Sequence, residues 1–321
     1  MARARRATGR YLTLTSPFGH AAFIEWFERL GENPRLLEPF AGANDLVRMA
    51  GEAGLVGTWT SYDLAPQAPG VSRRDTLRRF PRGFDAVITN PPWLARHAAR
   101  RAGLAVEEMA FGEYPNLYEA ALAKILASVG YAAVLVPDSF ITTGRWRERL
   151  ETVVSLPGLA FAGTEMPGAL ALFGPEATED VALWRGATRL GWWSDLGRPL
   201  DATAQMDRVH FNDPRGAIGL RAVDDVARAS IAFVDGDEVE PSRVREASRL
   251  VTRIHVVDLR ADRVGEVIAT ANADLVAWRE RTGDVALSAF KGVRADGWFR
   301  RRLDYASARR LLGDALARAG A

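Results

Sequence analysis

The sequence FDAVITNPPWL, residues 84–94, sets the architecture of the first half of the chain. Residues 84–89 are mostly apolar, as is typical of a strand buried within a sheet. The strand is followed at once by Asn90-Pro91-Pro92-Trp93. Because proline has no backbone N–H, the two prolines cannot continue a hydrogen-bonded ladder. The stretch therefore predicts a core strand that ends in a rigid turn carrying one amide and one large aromatic ring.

Strand and helix patterns alternate on both sides of this stretch. Alternation of this kind predicts a parallel sheet with helices on both faces, and hence an α/β fold. The predicted strands are 35–38, 56–62, 84–89 and 131–137, and the predicted helices are 20–31, 44–53 and 117–128.

The pattern changes after about residue 150. Residues 169–184 are predicted to form an antiparallel hairpin at the sheet edge, and the turn-rich stretch 191–199 is predicted to close the first domain. We therefore expect a first domain over 1–195 and a second domain over 196–321. The second domain is predicted to be an α+β lobe with strands at 230–234 and 253–259, a helix at 262–280 and a basic helical tail.

Composition narrows the functional classes. The 321 residues include no cysteine, which removes disulfides and thiolate zinc sites, and the four histidines are scattered. There is no apolar run long enough to cross a membrane, and the basic N-terminus lacks the apolar segment of a secretory signal. We expect a cytoplasmic protein with neither a membrane segment nor a bound metal.

Polar residues follow the predicted strands at the edge where parallel sheets bind ligands. Glu38 and Asp63 end two strands, Asp75 follows at a polar break, and Asn90 ends a third strand. Three carboxylates suit hydroxyl, amine and ammonium donors and would repel a diphosphate. The glycine fingerprints of dinucleotide and nucleoside-triphosphate sites are absent. These features favour a nucleoside with a cationic tail as the ligand.

In this order the motifs resemble those of the class I S-adenosylmethionine-dependent methyltransferases. Asn90-Pro91-Pro92-Trp93 is similar to the catalytic element of the DNA N6-adenine methyltransferases. The order of the motifs resembles the group, including type II restriction-modification methylases, with cofactor motifs first, the catalytic turn next and a target-recognition domain last. Three further segments between residues 11 and 185 also resemble that group, namely Thr15–Phe18, Asn116–Tyr118 and Val134–Pro137. The resemblance implies a Rossmann-like methyltransferase sheet with an antiparallel edge hairpin.

The resemblance also implies how S-adenosylmethionine would be held. Glu38 would face the methionine amino group, and Phe40 and Gly42 would shape the adjoining turn. Asp63 would take the ribose hydroxyls, and Asp75 the adenine amine. The N-terminal cofactor motif is represented by Thr15 and Pro17. Asn44 occupies a position where the family often has a second glycine, and asparagine tolerates a left-handed backbone better than most residues.

The implied reaction explains the Asn-Pro-Pro-Trp turn. The amine of a nucleobase is a poor nucleophile because its lone pair is delocalised into the ring. Two acceptors, the Asn90 amide and the Pro91 carbonyl, would hold that nitrogen so that its lone pair faces the methyl group. Pro92 would keep the turn rigid, and Trp93 would stack on the base after it flips out of the duplex.

Basic residues interleave with aromatic ones near the C-terminus, which suits phosphate contact and base stacking. We expect double-stranded DNA to be bound there by Lys291, Arg294, Arg300, Arg301 and Arg302. The basic N-terminus, with Arg3, Arg5, Arg6 and Arg10, is a second candidate for following phosphates.

Several alternatives remain open at this stage. The same turn occurs in methyltransferases that act on RNA bases or a protein glutamine, and N4-cytosine is chemically equivalent to N6-adenine. A non-enzymatic alternative is a catalytically silent DNA-binding subunit that retained the fold. The resemblance also implies that a restriction endonuclease acting on the same site could be a partner.

Overall fold

The computed structural model describes residues 12–13, 15–158, 161–162, 166–199, 205–244 and 250–320. The N-terminal arginines named above lie outside the described residues. The chain divides into two compact units, Met1–Arg189 and Leu190–Ala321. Each unit is described by itself.

The first unit is built on a long mixed sheet. The strands of this unit are β1, Leu12–Thr13, β2, Arg35–Glu38, β3, Thr58–Asp63, β4, Val71–Arg73, β5, Ala86–Thr89, β6, Tyr131–Pro137, β7, Leu150–Ser155, β8, Phe161–Ala162, β9, Gly168–Phe173, β10, Ala182–Arg185 and β11, Thr188–Trp192. The last of these, β11, crosses the unit boundary. Its helices are α1, Ala21–Glu28, α2, Asp45–Glu52, α3, Arg96–Arg101 and α4, Leu117–Leu126.

The strands of the main sheet lie in the order β11-β10-β7-β9-β6-β5-β2-β3-β4. The pairs β2–β3, β2–β5, β3–β4, β5–β6 and β7–β10 are parallel, whereas β9 runs antiparallel to both β6 and β7. The predicted α/β fold class, with a mostly parallel sheet and an antiparallel element towards one edge, is confirmed.

Pairing at that edge differs in detail from the sequence prediction. Residues 169–184 do not form one hairpin, because β9 is inserted between β6 and the unpredicted strand β7, and β10 pairs with β7 instead. All six residues of β9 are buried, which is typical of a central strand covered on both faces. The neighbouring strands β10 and β11 are joined directly by residues 186–187. The short connection between neighbouring strands therefore follows β10, one strand later than in the predicted hairpin.

Apolar side chains of α1 and α2 cover one face of the sheet. Phe23, Trp26 and Met49 pack in one cluster with the strand residues Leu36 and Ile88. The alternate strand residues point to the opposite face and are buried as well, so the sheet is covered on both sides. On the α1 face the buried Trp26 indole N–H also donates to the carbonyl of Phe173 at 2.9 Å.

The parallel register brings three strand ends together. Glu38, the last residue of β2, lies opposite Ser61 of β3, and Leu37 lies opposite Val87 of β5. The carboxyl ends of β2, β3 and β5 therefore meet at one edge of the sheet, where α/β proteins bind ligands.

The second unit combines an antiparallel sheet with two long helices, as expected for an α+β lobe. Its elements are α5, Trp193–Leu196, β12, Val209–Phe211, β13, Ile218–Arg221, β14, Ala232–Asp235, β15, Val251–Val256, α6, Val264–Thr282, β16, Ser288–Val293, β17, Phe299–Arg302 and α7, Tyr305–Ala319. The sheet has the order β12-β15-β13-β14, and helices α6 and α7 pack on it around the buried Trp278.

The predicted basic helical tail is a helix only in its second half. Strands β16 and β17 form an antiparallel hairpin, and glycines with positive φ at Gly292 and Gly297 permit its irregular path. The hairpin carries Arg294 into the protein, where its side chain is 3% exposed and forms ion pairs with Asp224 and Asp284 at 3.0 and 2.8 Å.

Among the described residues, no helix is long and apolar enough to cross a membrane.

Asp224 is fully buried and holds two arginines in place. Its carboxylate accepts from Arg279 at 2.8 and 2.9 Å as well as from Arg294. Replacing it with alanine would leave both guanidinium groups short of a buried counter-charge. We expect Asp224→Ala to lower the free energy of unfolding by about 3–5 kcal/mol. Urea unfolding checks this, with Asp262→Ala as a control that removes an exposed ion pair. Equal effects of the two variants would contradict the prediction.

Candidate functional site

A cavity of 840 Å³ lies at the carboxyl edge of the first unit's sheet. Its volume falls within the usual range for small-molecule sites. Seven of the residues selected from the sequence line it, namely Glu38, Phe40, Gly42, Asp63, Asp75, Asn90 and Pro92. The strand ends β2, β3 and β5 supply most of these side chains.

Glu38 is the most buried polar group of the cavity, at 1% exposure. Its carboxylate accepts from the backbone N–H of Phe40 at 2.9 Å, the hydroxyl of Thr89 and the backbone N–H of Asn90. Burial raises the pKa of Glu38 to about 8, against the lowering effect of these hydrogen bonds, and the nearby Asp63 adds to the rise. The carboxyl group thus links the end of β2 to the turn that follows β5.

Asp63 fixes the turn that follows Glu38. One carboxylate oxygen accepts from the N–H of Gly42 and the other from the N–H of Ala65, at 2.9 and 2.7 Å. The N–H of Ala41 donates to the carbonyl of Tyr62, so the turn is also tied to β3 through its backbone. Both oxygens of Asp63 therefore lie at the turn, on the wall of the cavity.

Asn44 adopts a left-handed backbone conformation, with φ of 65°, which asparagine tolerates better than most residues. Its side-chain oxygen accepts from the hydroxyl of Ser61 at 2.8 Å, and its carbonyl accepts from Arg48 in the first turn of α2. Asn44 is not among the described residues that line the cavity. It supports the turn through its hydrogen bonds with Ser61 and Arg48.

Asp75 follows β4 and is partly exposed. Its carboxylate accepts from the N–H of Arg78 at 3.0 Å and forms an ion pair with the same residue's guanidinium at 3.3 Å. The neighbouring Thr76 is buried and donates to the carbonyl of Pro39. Asp75 therefore lines the cavity while being paired with Arg78.

The amide of Asn90 is oriented by a residue that sequence reasoning missed. The Nδ2 atom of Asn90 donates to the hydroxyl of Thr13, which is 3.3 Å away and lies in β1. Thr13 is buried and lines the same cavity. With the nitrogen end of the amide held by Thr13, the oxygen end is the part suited to accept from a substrate.

Besides Asn44, four selected residues are not among the described residues that line the cavity. Pro91 and Pro17 are buried, Thr15 is exposed, and none of the three is among the described lining residues. Trp93 is partly buried against the sheet core, and its indole N–H donates to the carbonyl of Leu135 at 3.2 Å.

The outer wall of the cavity comes from a segment without a recognisable motif. Residues 104–110 contribute Leu104, Met109 and Glu108, and apolar contacts from Leu64 and Leu77 complete this side. Apolar residues in a loop do not reveal their ligand role from sequence. The wall is tied down where the guanidinium of Arg78 donates to the carbonyl of Glu108 at 3.0 Å.

Acidic groups outnumber basic ones in the cavity. The lining includes the carboxylates Glu38, Asp45, Asp63, Asp75 and Glu108 and the guanidinium groups Arg74 and Arg78. This balance favours a ligand with a positive charge and hydrogen-bond donors over a phosphorylated one.

The five residues selected for DNA contact do not form one exposed face. Arg294 and Arg301 are buried, which leaves them no surface for a phosphate, and this corrects the expectation drawn from the sequence. Arg300 donates to the carbonyl of Asp224 and lies over the Phe290 ring. Lys291 is exposed, and Arg302 is partly exposed.

Solved structures resembling this chain include several methyltransferases. They include a class I S-adenosylmethionine-dependent methyltransferase from Listeria monocytogenes, at 15% identity and a TM-score of 0.37 over 51% of this chain. Two others are a type I restriction-modification methyltransferase subunit from Streptococcus thermophilus, at 14% identity and a TM-score of 0.38 over 56% of this chain, and the M protein of the type I restriction enzyme EcoKI, at 16% identity and a TM-score of 0.34 over 52%.

The matched part spans 62%, 49% and 48% of those three chains, respectively. No family model matches the sequence, and no curated protein matches it.

The raised pKa of Glu38 predicts how the stability of the protein depends on pH. Between its ordinary pKa of 4.5 and the folded value of about 8, the native state keeps a proton that the unfolded chain has lost. Stability must therefore fall as pH rises through this window, by about 1.4 kcal/mol per unit. We expect Glu38→Gln to remove this loss, so that its melting temperature rises relative to wild type from pH 5 to pH 8.

Thermal melts across that pH range measure the effect. Glu52→Gln, at an exposed glutamate of α2, serves as the control and should show no such trend. A difference between Glu38→Gln and wild type that stayed constant with pH would argue against the raised pKa.

Proposed function

We propose that this chain is an S-adenosylmethionine-dependent DNA methyltransferase that methylates adenine N6 in duplex DNA after flipping the base out of the helix. One observation carries the proposal. The amide of Asn90 lies on the wall of the same cavity as the buried carboxylates of Glu38 and Asp63. A group that can orient a planar amine thus adjoins groups that can hold a cationic nucleoside.

The residues present fit S-adenosylmethionine. The buried Glu38 carboxyl group suits the ammonium group, because a cation bound beside it would lower its pKa and favour its ionised form. Asp63, held by two backbone N–H groups, suits vicinal ribose hydroxyls. The acidic lining and the apolar side chains of Leu64 and Leu77 suit a sulfonium nucleoside with an aromatic base. When bound, S-adenosylmethionine would supply an electrophilic methyl group. Thr15 and Pro17, which do not line the cavity, are proposed to support the binding turn indirectly.

Asn90 and Pro91 would orient the target amine. The Asn90 side-chain oxygen and the Pro91 carbonyl would each accept one N–H, which turns the nitrogen lone pair towards the cofactor side of the cavity. Thr13 would hold the Nδ2 end of the Asn90 amide, and Glu38 would hold the backbone N–H of the same residue. Asn90 is therefore restrained through both its side chain and its backbone before a substrate arrives, which lowers the cost of ordering its side-chain amide.

Trp93 is proposed to stack on the extruded base. The hydrogen bond from its indole to Leu135 fixes the ring against the sheet, so a base would meet a preset surface. Stacking of this kind would offset part of the unstacking that base flipping costs.

The two-domain assignment completes the proposal. Residues 1–195 would bind the cofactor and catalyse transfer, and residues 196–321 would read the DNA sequence. Lys291, Arg300 and Arg302 retain exposed or partly exposed surface for that role. A restriction endonuclease acting on the same site is the partner that this proposal implies.

The direct test identifies the methylated nucleoside. The purified chain is incubated with unmethylated duplex DNA and methyl-labelled S-adenosylmethionine, and the digested DNA is analysed by mass spectrometry. We expect labelled N6-methyladenine from the wild type, and a loss of at least a hundredfold in Asn90→Ala because it lacks one of the two acceptors, a loss on the order of that measured for removing one preorganised hydrogen bond in an active site.

Other outcomes separate the alternatives. Labelled N4-methylcytosine would keep the mechanism and change the base. Cofactor binding without any labelled DNA nucleoside would contradict the DNA proposal and favour RNA or protein glutamine as the substrate. Absence of both would favour a silent DNA-binding subunit.

Thr13→Val tests the support of the catalytic amide. The variant keeps the shape of the side chain and removes the acceptor for Asn90 Nδ2. We expect kcat at saturating substrates to fall by about three- to tenfold, the value of one hydrogen bond, with little change in cofactor affinity. Thr13→Ser retains the hydroxyl and should keep most of the activity. Equal rates for the valine variant and wild type would rule out this role for Thr13.

A further inference from the structure

Helix α3 presents an exposed basic surface next to the catalytic turn. It begins at Arg96, six residues after Asn90, and ends with Arg100 and Arg101. Both arginines are exposed, as is His97. The sequence from 91 to 106 contains no acidic residue. Positive charge therefore accumulates here without a local acid to balance it.

The guanidinium groups of Arg100 and Arg101 have no ion-pair partner within the part of the chain that the structure describes. Some exposed arginines of the same unit are ion-paired, since Arg29 pairs with Glu151 and Arg48 pairs with Glu52 at 2.7 Å. Arg73, Arg79 and Arg82 are exposed and, like the pair on α3, have no ion pair among the described residues. What distinguishes the pair on α3 is that it lies on the helix that follows the catalytic turn. Arginine without an internal counter-ion is well suited to phosphate, which its planar fork binds with two hydrogen bonds.

The helix is fixed to the segment that follows the catalytic turn. The backbone N–H of Arg96 donates to the carbonyl of Pro115 at 2.8 Å, and its guanidinium donates to the carbonyl of Tyr114 at 3.0 Å and lies over the Phe111 ring. On the inner side, Ala99 is buried in a small cluster with Leu94.

The same cluster connects the helix to the cavity. Leu117 belongs to it, Met109 packs against it, and both residues line the cavity. The basic surface of α3 is therefore held in a set position relative to Asn90. A phosphate bound there would be held at a fixed position relative to the catalytic turn.

We propose that Arg100 and Arg101 bind backbone phosphates of the DNA strand that carries the target base. This inference rests on the proposed function and specifies which surface of the catalytic unit meets the substrate. The acidic side chains that line the cavity would repel a phosphate. Arg100 and Arg101 of α3, outside the cavity lining, have no ion pair among the described residues and would attract one. A nucleotide whose base enters the cavity could leave its flanking phosphates on α3. These contacts position the strand and read no sequence.

The salt dependence of DNA binding tests this assignment. Binding of a fluorescein-labelled 30-base-pair duplex is measured between 50 and 200 mM salt for wild type, Arg100→Gln/Arg101→Gln and Arg29→Gln/Arg48→Gln. The last variant removes the same number of charges from exposed, ion-paired positions. We expect the α3 variant to lower the slope of log K against log salt by about 2 and to weaken binding about tenfold at 100 mM salt.

Arg100→Lys/Arg101→Lys keeps the charge and should retain most of the slope. Cofactor binding and thermal melts, unchanged in the α3 variant, establish that the fold is intact. If the α3 variant lost no more affinity or slope than the Arg29/Arg48 control, the assignment would be overturned.

The result is separable from the proposed function. A wild-type protein that methylates DNA while the α3 variant binds duplex normally would refute only the phosphate surface. A wild-type protein that produces no methylated DNA nucleoside would refute the proposed function itself.

Discussion

The organisation of this site depends on one buried carboxyl group. Glu38 closes β2, and its oxygens collect hydrogen bonds from Phe40, Thr89 and Asn90. Two of these donors belong to β5 and its turn, so a single side chain sets the spacing between the end of β2 and the Asn90-Pro91-Pro92-Trp93 turn. Burial of this group is costly, as its raised pKa indicates.

Acidic and basic side chains occupy different places around the Glu38 carboxyl group. The cavity is lined mostly by acids, whereas Arg100 and Arg101 stand outside it on α3 without carboxylate partners among the described residues. A cationic nucleoside and a polyanionic strand would each find the sign that attracts them, and each would be kept from the other's place. At physiological ionic strength, screening acts over about 8 Å, so this separation must be built by local groups rather than by the net charge of the chain.

The sequence was sufficient to predict the strand ends but not their surroundings. Short strand-like runs identify β2, β3, β5 and β6; the runs of β2 and β3 end at an acid, and that of β5 is followed by Asn-Pro-Pro. Parallel pairing then brings Glu38, Asp63 and Asn90 together. Thr13 could not be recognised in this way because its partner is 77 residues away and a threonine in a strand carries no signal of that contact. The place of β9 was missed because local pattern marks it as a strand but does not reveal which strands flank it. Residues 104–110 were missed because their contribution to the cavity wall is one of shape.

The arginines show why counting charges failed in the second unit. Only Lys124 and Lys291 are lysines among 42 basic residues, so arginine must serve structural as well as binding purposes throughout the chain. The buried guanidinium of Arg294 pairs with three aspartates, of which Asp224 and Asp284 are buried and Asp296 is exposed. Breaking such a network to free one arginine for a phosphate would leave buried carboxylates uncompensated, at a cost that one surface contact does not offset. In an arginine-rich protein the partner of each guanidinium group, rather than the local density of arginine, decides which of them can meet a nucleic acid.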